Sequence, residues 1–252
     1  ISWHCFVAEG AYLMQYLVTG GSGFIGSALV KRLVRDGHGV RVLDNHSRGH
    51  SGRLDDLRDS VEIVDCDIRD SEQVVEHSKG CDAFLHLAAV NGTENFYKNP
   101  ELVLDVGVRG MLSALEACRK NDIGNLVVAS SSEAYQTPLL VPTPEDVPLV
   151  VPDVLNPRYS YGGSKIISEL MAINYTRENF DRCTIFRPHN VYGPDMGWEH
   201  VLPQFAIRAS DAVERQAEGV IEYEILGDGE QTRAFINIHD FIDGLMIVID
   251  SG

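Results

Sequence analysis

Residues 15–37 restrict the fold of this chain more than any other stretch, because the hydrophobic pattern there changes period across a glycine-rich turn. Gln15–Thr19 (QYLVT) is a short apolar run of the kind that buried strands show. It passes directly into Gly20-Gly21-Ser22-Gly23-Phe24-Ile25-Gly26. The residues that follow, SALVKRLVRDGH, place apolar side chains at helical spacing and stop at Gly37. Strand, tight turn and helix in this order bring a helix N-terminus to the end of a strand. Its free N–H groups and dipole favour an anion, and glycines let the backbone come close to one. The stretch therefore has the context that a dinucleotide-binding fingerprint needs, with a pyrophosphate at the helix start.

The next strand extends that reading. Gly39–Asp44 (GVRVLD) is rich in β-branched residues and ends in Asp44, 18 residues past Gly26. A carboxylate there bonds ribose hydroxyls and repels a 2′-phosphate, which favours NAD over NADP despite Arg41 and Arg48 nearby in sequence. Alternation then continues: a strand at 61–64, helix at 71–79, strand at 82–87, long helix at 100–120 and strand at 125–129. Strands alternating with helices predict a doubly wound parallel sheet of Rossmann type, with ligands at the carboxyl ends of the strands. Residues 136–158 hold six of the ten prolines and read as an ordered loop. A helix over 161–177 and a strand over 182–187 follow. Past Pro194 the pattern mixes short signals. This predicts an NAD-binding domain over 14–194 and a small, partial substrate subdomain over 195–252, whose strand and helix at 231–249 return to the Rossmann core.

Composition excludes several classes. The net charge of −16 argues against broad binding to nucleic acid or to an anionic membrane, so an anionic ligand must be met by a few local arginines. Cys5, Cys66, Cys81, Cys118 and Cys183 are scattered without a C-x-x-C pair, as expected of reduced thiols in a cytoplasmic protein rather than a disulfide frame or zinc site. His46 and His50 share a helical spacing, but Gly49 and Gly52 make a loop there, and no metal is expected. No stretch is long enough to span a membrane. Residues 1–13 lack the basic start and apolar core of a secretion signal. They are expected to be a leader or added segment, with the domain starting near Met14.

Tyr161-Gly162-Gly163-Ser164-Lys165 places a phenol and an ammonium four residues apart, on one face of a helix. An ammonium beside a phenol favours the phenolate, which would let Tyr161 act as general base or acid in an alcohol–ketone interconversion. The strand at 125–129 opens into Ser130-Ser131-Ser132-Glu133, whose hydroxyls sit where a substrate oxygen would be met.

Taken together, TGGSGFIG at 19–26, VLDN at 42–45, CDIRD at 66–70, HLAA at 86–89, SSSEAY at 130–135, YGGSK at 161–165, RPHNVYGP at 187–194 and GDGEQTRAFINIHDFIDG at 227–244 resemble the extended short-chain dehydrogenase/reductase family. Within it the likeness is to the NAD-dependent nucleotide-sugar epimerases and dehydratases. The resemblance implies that Gly20, Gly23, Phe24, Ile25 and Gly26 hold the pyrophosphate of NAD, and Asp44 with Asn45 its adenosine ribose. It places Asp67 and Ile68 beside the adenine, with Leu87, Ala88 and Ala89 lining the pocket. Tyr161 becomes the catalytic base, Lys165 the partner of the nicotinamide ribose, and Ser131 a hydrogen-bond partner of the sugar hydroxyl being oxidised. Pro188 is placed against the nicotinamide, while Ser132, Asn190 and Arg233 are placed on the nucleotide-diphosphate sugar. A homodimer packed through helices 100–120 and 161–178 is also implied.

The chain departs from the family in two places. Gly107 stands where members often carry an asparagine, and the chain stops at Gly252 where the family continues, so a truncated or short, open sugar site is expected. The resemblance leaves the reaction open. Epimerisation through a keto sugar is preferred; Glu133, as a second base, would instead serve a 4,6-dehydratase or a uronic-acid decarboxylase. A non-catalytic NAD-binding sensor or scaffold is the alternative of another kind.

Overall fold

The structure is a computed structural model that describes residues 13–198, 200–216, 218–225 and 227–251. Cys5 and all but the last residue of the expected leader lie outside the described residues. Strand β1 (Gln15–Thr19) is buried along nearly its whole length. Helix α1 (Phe24–Arg35) turns Leu29, Val30 and Leu33 into the core and stops at Asp36. Each of those side chains contributes on the order of 2 kcal/mol of burial. Gly37 follows with φ +93°, a conformation that side chains rarely adopt, so the helix ends there.

β2 (Gly39–Asp44), β3 (Val61–Asp65), α2 (Ser71–His77) and β4 (Ala83–His86) follow in the expected order. A short helix that the sequence pattern did not signal, α3 (Thr93–Lys98), precedes α4 (Pro100–Lys120) and β5 (Asn125–Ala129). α5 (Ser160–Tyr175) and β6 (Arg182–Phe186) complete the main sheet. Its order is β3-β2-β1-β4-β5-β6, the doubly wound arrangement the sequence predicts. The order in which strands are added to the sheet reverses between β1 and β4, which pair in parallel with Thr19 opposite His86. The loop ends that follow Thr19 and His86 therefore meet at the switch point, where such folds bind ligands.

The C-terminal region is simpler than its sequence suggested. Residues 201–215 form one helix, α6 (Val201–Arg215). The strand expected over 231–238 is only β8 (Phe235–Asn237), which pairs in parallel with β7 (Asn190–Tyr192) in a separate two-stranded sheet. α7 (Ile238–Ser251) buries Ile238, Ile242, Leu245, Met246 and Ile249. By contacts the chain divides into two compact units that do not follow chain order. The first runs through Ala88 and adds Arg109–Val128 and Met171–Cys183. The second holds Ala89–Val108, Ala129–Leu170 and the residues from Thr184 onward. Among the described residues no helix is long and apolar enough to cross a membrane.

Candidate active site

The first unit contains most of the residues expected to meet the dinucleotide. Gly20 has φ +71°, and a Cβ added there would lie 2.9 Å from the backbone of Ala88. At Gly26 a Cβ would run into the carbonyl oxygen of Gly20. Both glycines are thus required for the turn to close onto the neighbouring strand end. Thr19 ties the two strand ends together: its Oγ1 accepts from the N–H groups of Leu87 and Ala88, each at 3.2 Å, and lies 3.0 Å from His86 Nδ1. At the start of α1, Gly23 supplies no side-chain cap, and the first turn has no acidic residue. Its unsatisfied N–H groups and dipole fit a pyrophosphate.

Asp44 is buried, and its two carboxylate oxygens accept from Ser22 N at 3.0 Å and His46 N at 2.8 Å. These bonds aim the carboxylate beside the glycine turn and leave lone pairs for ribose hydroxyls. Arg41 is turned away from that position. It donates to Glu62 Oε2 at 2.6 Å and to the carbonyls of His77 and Lys79. Asn45 donates to Asp67 at 3.2 Å, joining two residues assigned to the adenosine. Asp67 is gripped by the Arg69 guanidinium at 2.9 and 2.6 Å, and those hydrogen bonds pull its carboxyl down to about 2. Ile68 is buried with its Cγ atoms against Gly110. This cradle of open helix-start donors, fixed carboxylate and apolar wall fits NAD.

The second unit contains the residues expected to be catalytic. Ser130 N donates to Phe186 O at 2.8 Å and Ser132 N to Pro188 O at 3.1 Å, so the serine run is an extension of strand pairing. That pairing fixes Ser131, which is buried and accepts from Glu133 N at 3.1 Å. The Ser131 hydroxyl is close enough to the Tyr161 phenol to favour its charged form. On α5, Tyr161 and Lys165 share the buried face, with the Lys165 ammonium 5.6 Å from the Tyr161 ring centroid. The structure thus brings together Ser131, Glu133, Tyr161 and Lys165.

The expected lowering of the phenol is not what this surrounding produces. Burial pushes Tyr161 up to about 12, against the Ser131 hydrogen bond, and the Glu133 charge adds to the rise. Burial likewise pulls Lys165 down to about 8, against the field of Glu169. The Lys165 ammonium donates to Ala129 O at 2.7 Å, which holds it in place.

Three positioning residues escaped the sequence reading. Glu169, one turn beyond Lys165 on the same face, is almost wholly buried and accepts from Arg187 Nε at 2.8 Å and Nη2 at 2.6 Å. Ser130 Oγ also donates to Glu169, and Arg187 Nη1 donates to the Tyr135 hydroxyl at 2.7 Å. Phe96, on the unexpected α3, is stacked on Tyr161 with centroids 5.4 Å apart and planes at 18°. The i+4 spacing of Glu169 from Lys165 was a usable signal. No local pattern announces Arg187 or Phe96.

Elsewhere, Asn190 Nδ2 donates to Ala234 O at 2.8 Å, which sets it beside the segment carrying exposed Arg233. Arg233 Nη1 donates to Thr232 O at 2.7 Å. Gly107 has a packing role. A Cβ there would lie 2.7 Å from Ser164 Cβ, and Ser168 Oγ donates to Gly107 O at 3.3 Å. An asparagine at 107 would push against α5, so α4 runs past Ser164 on a bare backbone. Among the described residues no cluster of three or more His, Cys, Asp or Glu could hold a metal ion.

Comparison with known proteins finds relatives over nearly the whole of this chain. The model of the NAD dependent epimerase/dehydratase family matches residues 16–252. A UDP-N-acetyl-alpha-D-glucosaminuronate decarboxylase of Bacillus cytotoxicus is 31% identical over 239 residues, covering 93% of this chain and 70% of that protein. A UDP-glucose 4-epimerase of Mycolicibacterium smegmatis is 33% identical over 239 residues, covering 92% and 72%. Among solved structures, a double mutant of a dTDP-glucose 4,6-dehydratase from Streptomyces venezuelae, with NAD bound, superposes with a TM-score of 0.82 at 27% identity, covering 95% of this chain and 73% of that one.

Proposed function

The chain belongs to the NAD-dependent epimerase/dehydratase family, and from that premise we propose that it is an epimerase of nucleotide-diphosphate sugars, working through a transient keto sugar. Bound NAD supplies the hydride acceptor and donor and is regenerated in each cycle. The chain's own residues handle the proton. Tyr161 Oη takes it from the sugar hydroxyl that becomes the ketone, and Ser131 Oγ, whose hydroxyl bears on the same phenol, shares a hydrogen bond with the same oxygen. Lys165 is a cation that this chain sets beside the phenol. In the reverse step Tyr161 returns the proton while hydride re-enters the opposite face of the ketone, which inverts the centre.

The observation that carries epimerisation over its rivals is the engagement of Glu133. A dehydratase or decarboxylase reading needs that carboxylate as a second base. Here its Oε1 accepts from Arg158 Nη2 at 3.0 Å. A carboxylate spent on a guanidinium is a poor base, and epimerisation does not require one. The identities of relatives with all three activities support the shared oxidation step equally.

Further parts of the reading follow. Gly20, Gly23, Phe24, Ile25, Gly26, Asp44, Asn45, Asp67, Ile68, Leu87, Ala88, Ala89 and Pro188 hold NAD, and Ser132, Asn190 and Arg233 face the nucleotide sugar. Leu112 on α4 and Ile167, Leu170 and Ile173 on α5 are exposed, which supports a homodimer through those helices. Four free cysteines among the described residues suit the cytoplasm.

The test is incubation with NAD+ and a panel of UDP-, dTDP-, GDP- and CDP-sugars, read by mass and NMR. A new sugar of unchanged mass supports the proposal. Loss of water or of carbon dioxide replaces it with dehydration or decarboxylation. Tyr161→Phe distinguishes a scaffold, which would keep its function, from an enzyme, which would lose at least about a thousandfold in turnover.

A further inference from the structure

Arg158, three residues before Tyr161, is not among the residues that the motifs assign. It sits in a short 3-10 turn, Pro157–Tyr159, entered through Asn156, whose side chain accepts from Arg158 N at 3.0 Å. Its guanidinium does two things at once. Nη2 donates to Glu133 Oε1 at 3.0 Å, and the guanidinium carbon lies 5.1 Å from the centroid of the Phe96 ring. Phe96 is itself stacked on Tyr161. Arg158 Nη1 is buried without an acceptor, so among the described residues Glu133 is the only group that answers this cation by hydrogen bonds. The order in space is thus carboxylate, guanidinium, phenylalanine ring, catalytic phenol.

We propose that Arg158 is a positioning residue for Tyr161: it neutralises Glu133 beside the phenol and, lying on Phe96, holds the ring against which Tyr161 is stacked. This rests on Tyr161 being the acid–base group of the proposed reaction. The electrostatic part follows from the other groups facing Tyr161. On α5 these are Lys165 and, behind it, Glu169, whose charge is already answered by Arg187. On α3, Glu94 and Lys98 answer each other at 2.6 Å. From the segment after β5 comes Glu133, the one carboxylate whose field raises the phenol, and Arg158 is its counter-charge. Removing Arg158 exposes the phenol to the full charge of Glu133, which makes the phenolate harder to form. Removing Glu133 has the opposite effect and leaves Arg158 to act on the phenol only through its own charge across the Phe96 ring, so its removal then matters less. A residue that served only to pack Phe96 would not show this dependence.

The test is a double-mutant cycle on the titration of Tyr161 in the full chain. Tyrosine is labelled at Cζ with carbon-13, and the Tyr161 resonance is assigned as the one lost in Tyr161→Phe. Glu133→Gln is expected to lower the Tyr161 midpoint by about one pH unit, and Arg158→Met to raise it by a similar amount. In the Glu133→Gln background Arg158→Met should raise the midpoint by clearly less than it does alone, while Arg158→Lys should stay near wild type. With NAD+ and a turned-over sugar, the acid limb of the kcat profile should move in the same directions, about tenfold in rate per unit below the limb. The proposal is overturned if Glu133→Gln leaves the midpoint in place, or if Arg158→Met shifts it equally with and without Glu133. Should Arg158→Met fail to fold, Glu133→Gln and Arg158→Lys still decide. The NMR titration needs no substrate. Turnover without this dependence therefore defeats only the Arg158 role, and the dependence without turnover of any sugar defeats only the proposed reaction.

Discussion

Arg187→Met is the perturbation with the largest effect that the structure allows to be worked out. Arg187 offers Nε and Nη2 as a fork to both oxygens of Glu169 at 2.8 and 2.6 Å, and the Glu169 side chain is 5% exposed. Methionine keeps most of the stem but removes the charge and the guanidinium that lies over the Tyr135 ring. Glu169 is then a buried carboxylate with Ser130 Oγ as its remaining donor, which a hydroxyl cannot compensate. Breaking a buried pair in this way costs about 3–5 kcal/mol, because the surviving charge stays desolvated. In a chain of this size each kcal/mol lowers Tm by about 2–4 °C, so a fall on the order of 10 °C is expected. The assay is reversible urea unfolding followed by circular dichroism, with calorimetry for Tm. Arg187→Lys, which keeps charge and loses the fork, should fall between. Glu169→Met/Arg187→Met should regain at least half of the loss, since a neutral pair leaves no orphan charge. A single-mutant cost below about 1 kcal/mol, with no recovery in the double mutant, would refute the reasoning.

The other expectations concern Lys165, Asp44 and Gly107. Burial lowers Lys165 from an ordinary 10.5 to about 8, so between those values the unfolded chain binds a proton that the folded chain has released. Stability owed to this group therefore rises with pH across that window, by about 3 kcal/mol at full development, and Lys165→Met should flatten the rise in denaturation curves taken at pH 7, 8.5 and 10. Asp44→Ala should weaken NAD+ by roughly 10- to 100-fold in calorimetry, because it removes ribose acceptors and releases Ser22 N and His46 N, and preference over NADP+ should shrink. Gly107→Asn should cost about 1–3 kcal/mol in urea unfolding rather than improve proton transfer, since its Cβ meets Ser164. A gain in kcat with unchanged stability would show that the asparagine fits there.

The fold was legible because its signals are local. The change of period across Gly20–Gly26, the stop at Gly37 and the β-branched run into Asp44 each place an element within a residue or two, and β1, β2, α4 and β5 take the expected bounds. The pairing of Tyr161 with Lys165 was legible for the same reason, since four residues of helix set them on one face. What escaped depends on contacts distant in sequence. Phe96 reaches Tyr161 from a polar segment with no periodicity, and Arg187 reaches Glu169 across a helix–strand connection. The C-terminal strand was overread because QTRAFINI is rich in β-forming residues. Only Phe235–Asn237 finds a partner strand, and propensity without pairing does not make a strand.

This difference bears on how the site is built. Helix α5 presents Tyr161, Lys165 and Glu169 at successive turns of one buried face, so a single rigid element carries the phenol, the ammonium and the acceptor of the Arg187 fork. A helix so loaded cannot rotate without desolvated charge losing its partner. Its position is held at one end by Arg187 and, by the proposed role, at the other by Arg158 through Phe96 and Glu133. The two arginines are on different elements, and each answers one carboxylate. Among the described residues the Tyr161 side chain has a weaker polar hold than Lys165 or Glu169, its phenol being influenced by the Ser131 hydroxyl. On the proposed reading, rigidity is thus concentrated in groups that do not react, which leaves the phenol free to bond a sugar hydroxyl. Loosening either arginine should therefore disturb turnover before it disturbs NAD binding, because the dinucleotide cradle of Gly20, Asp44 and Thr19 is held by its own separate bonds.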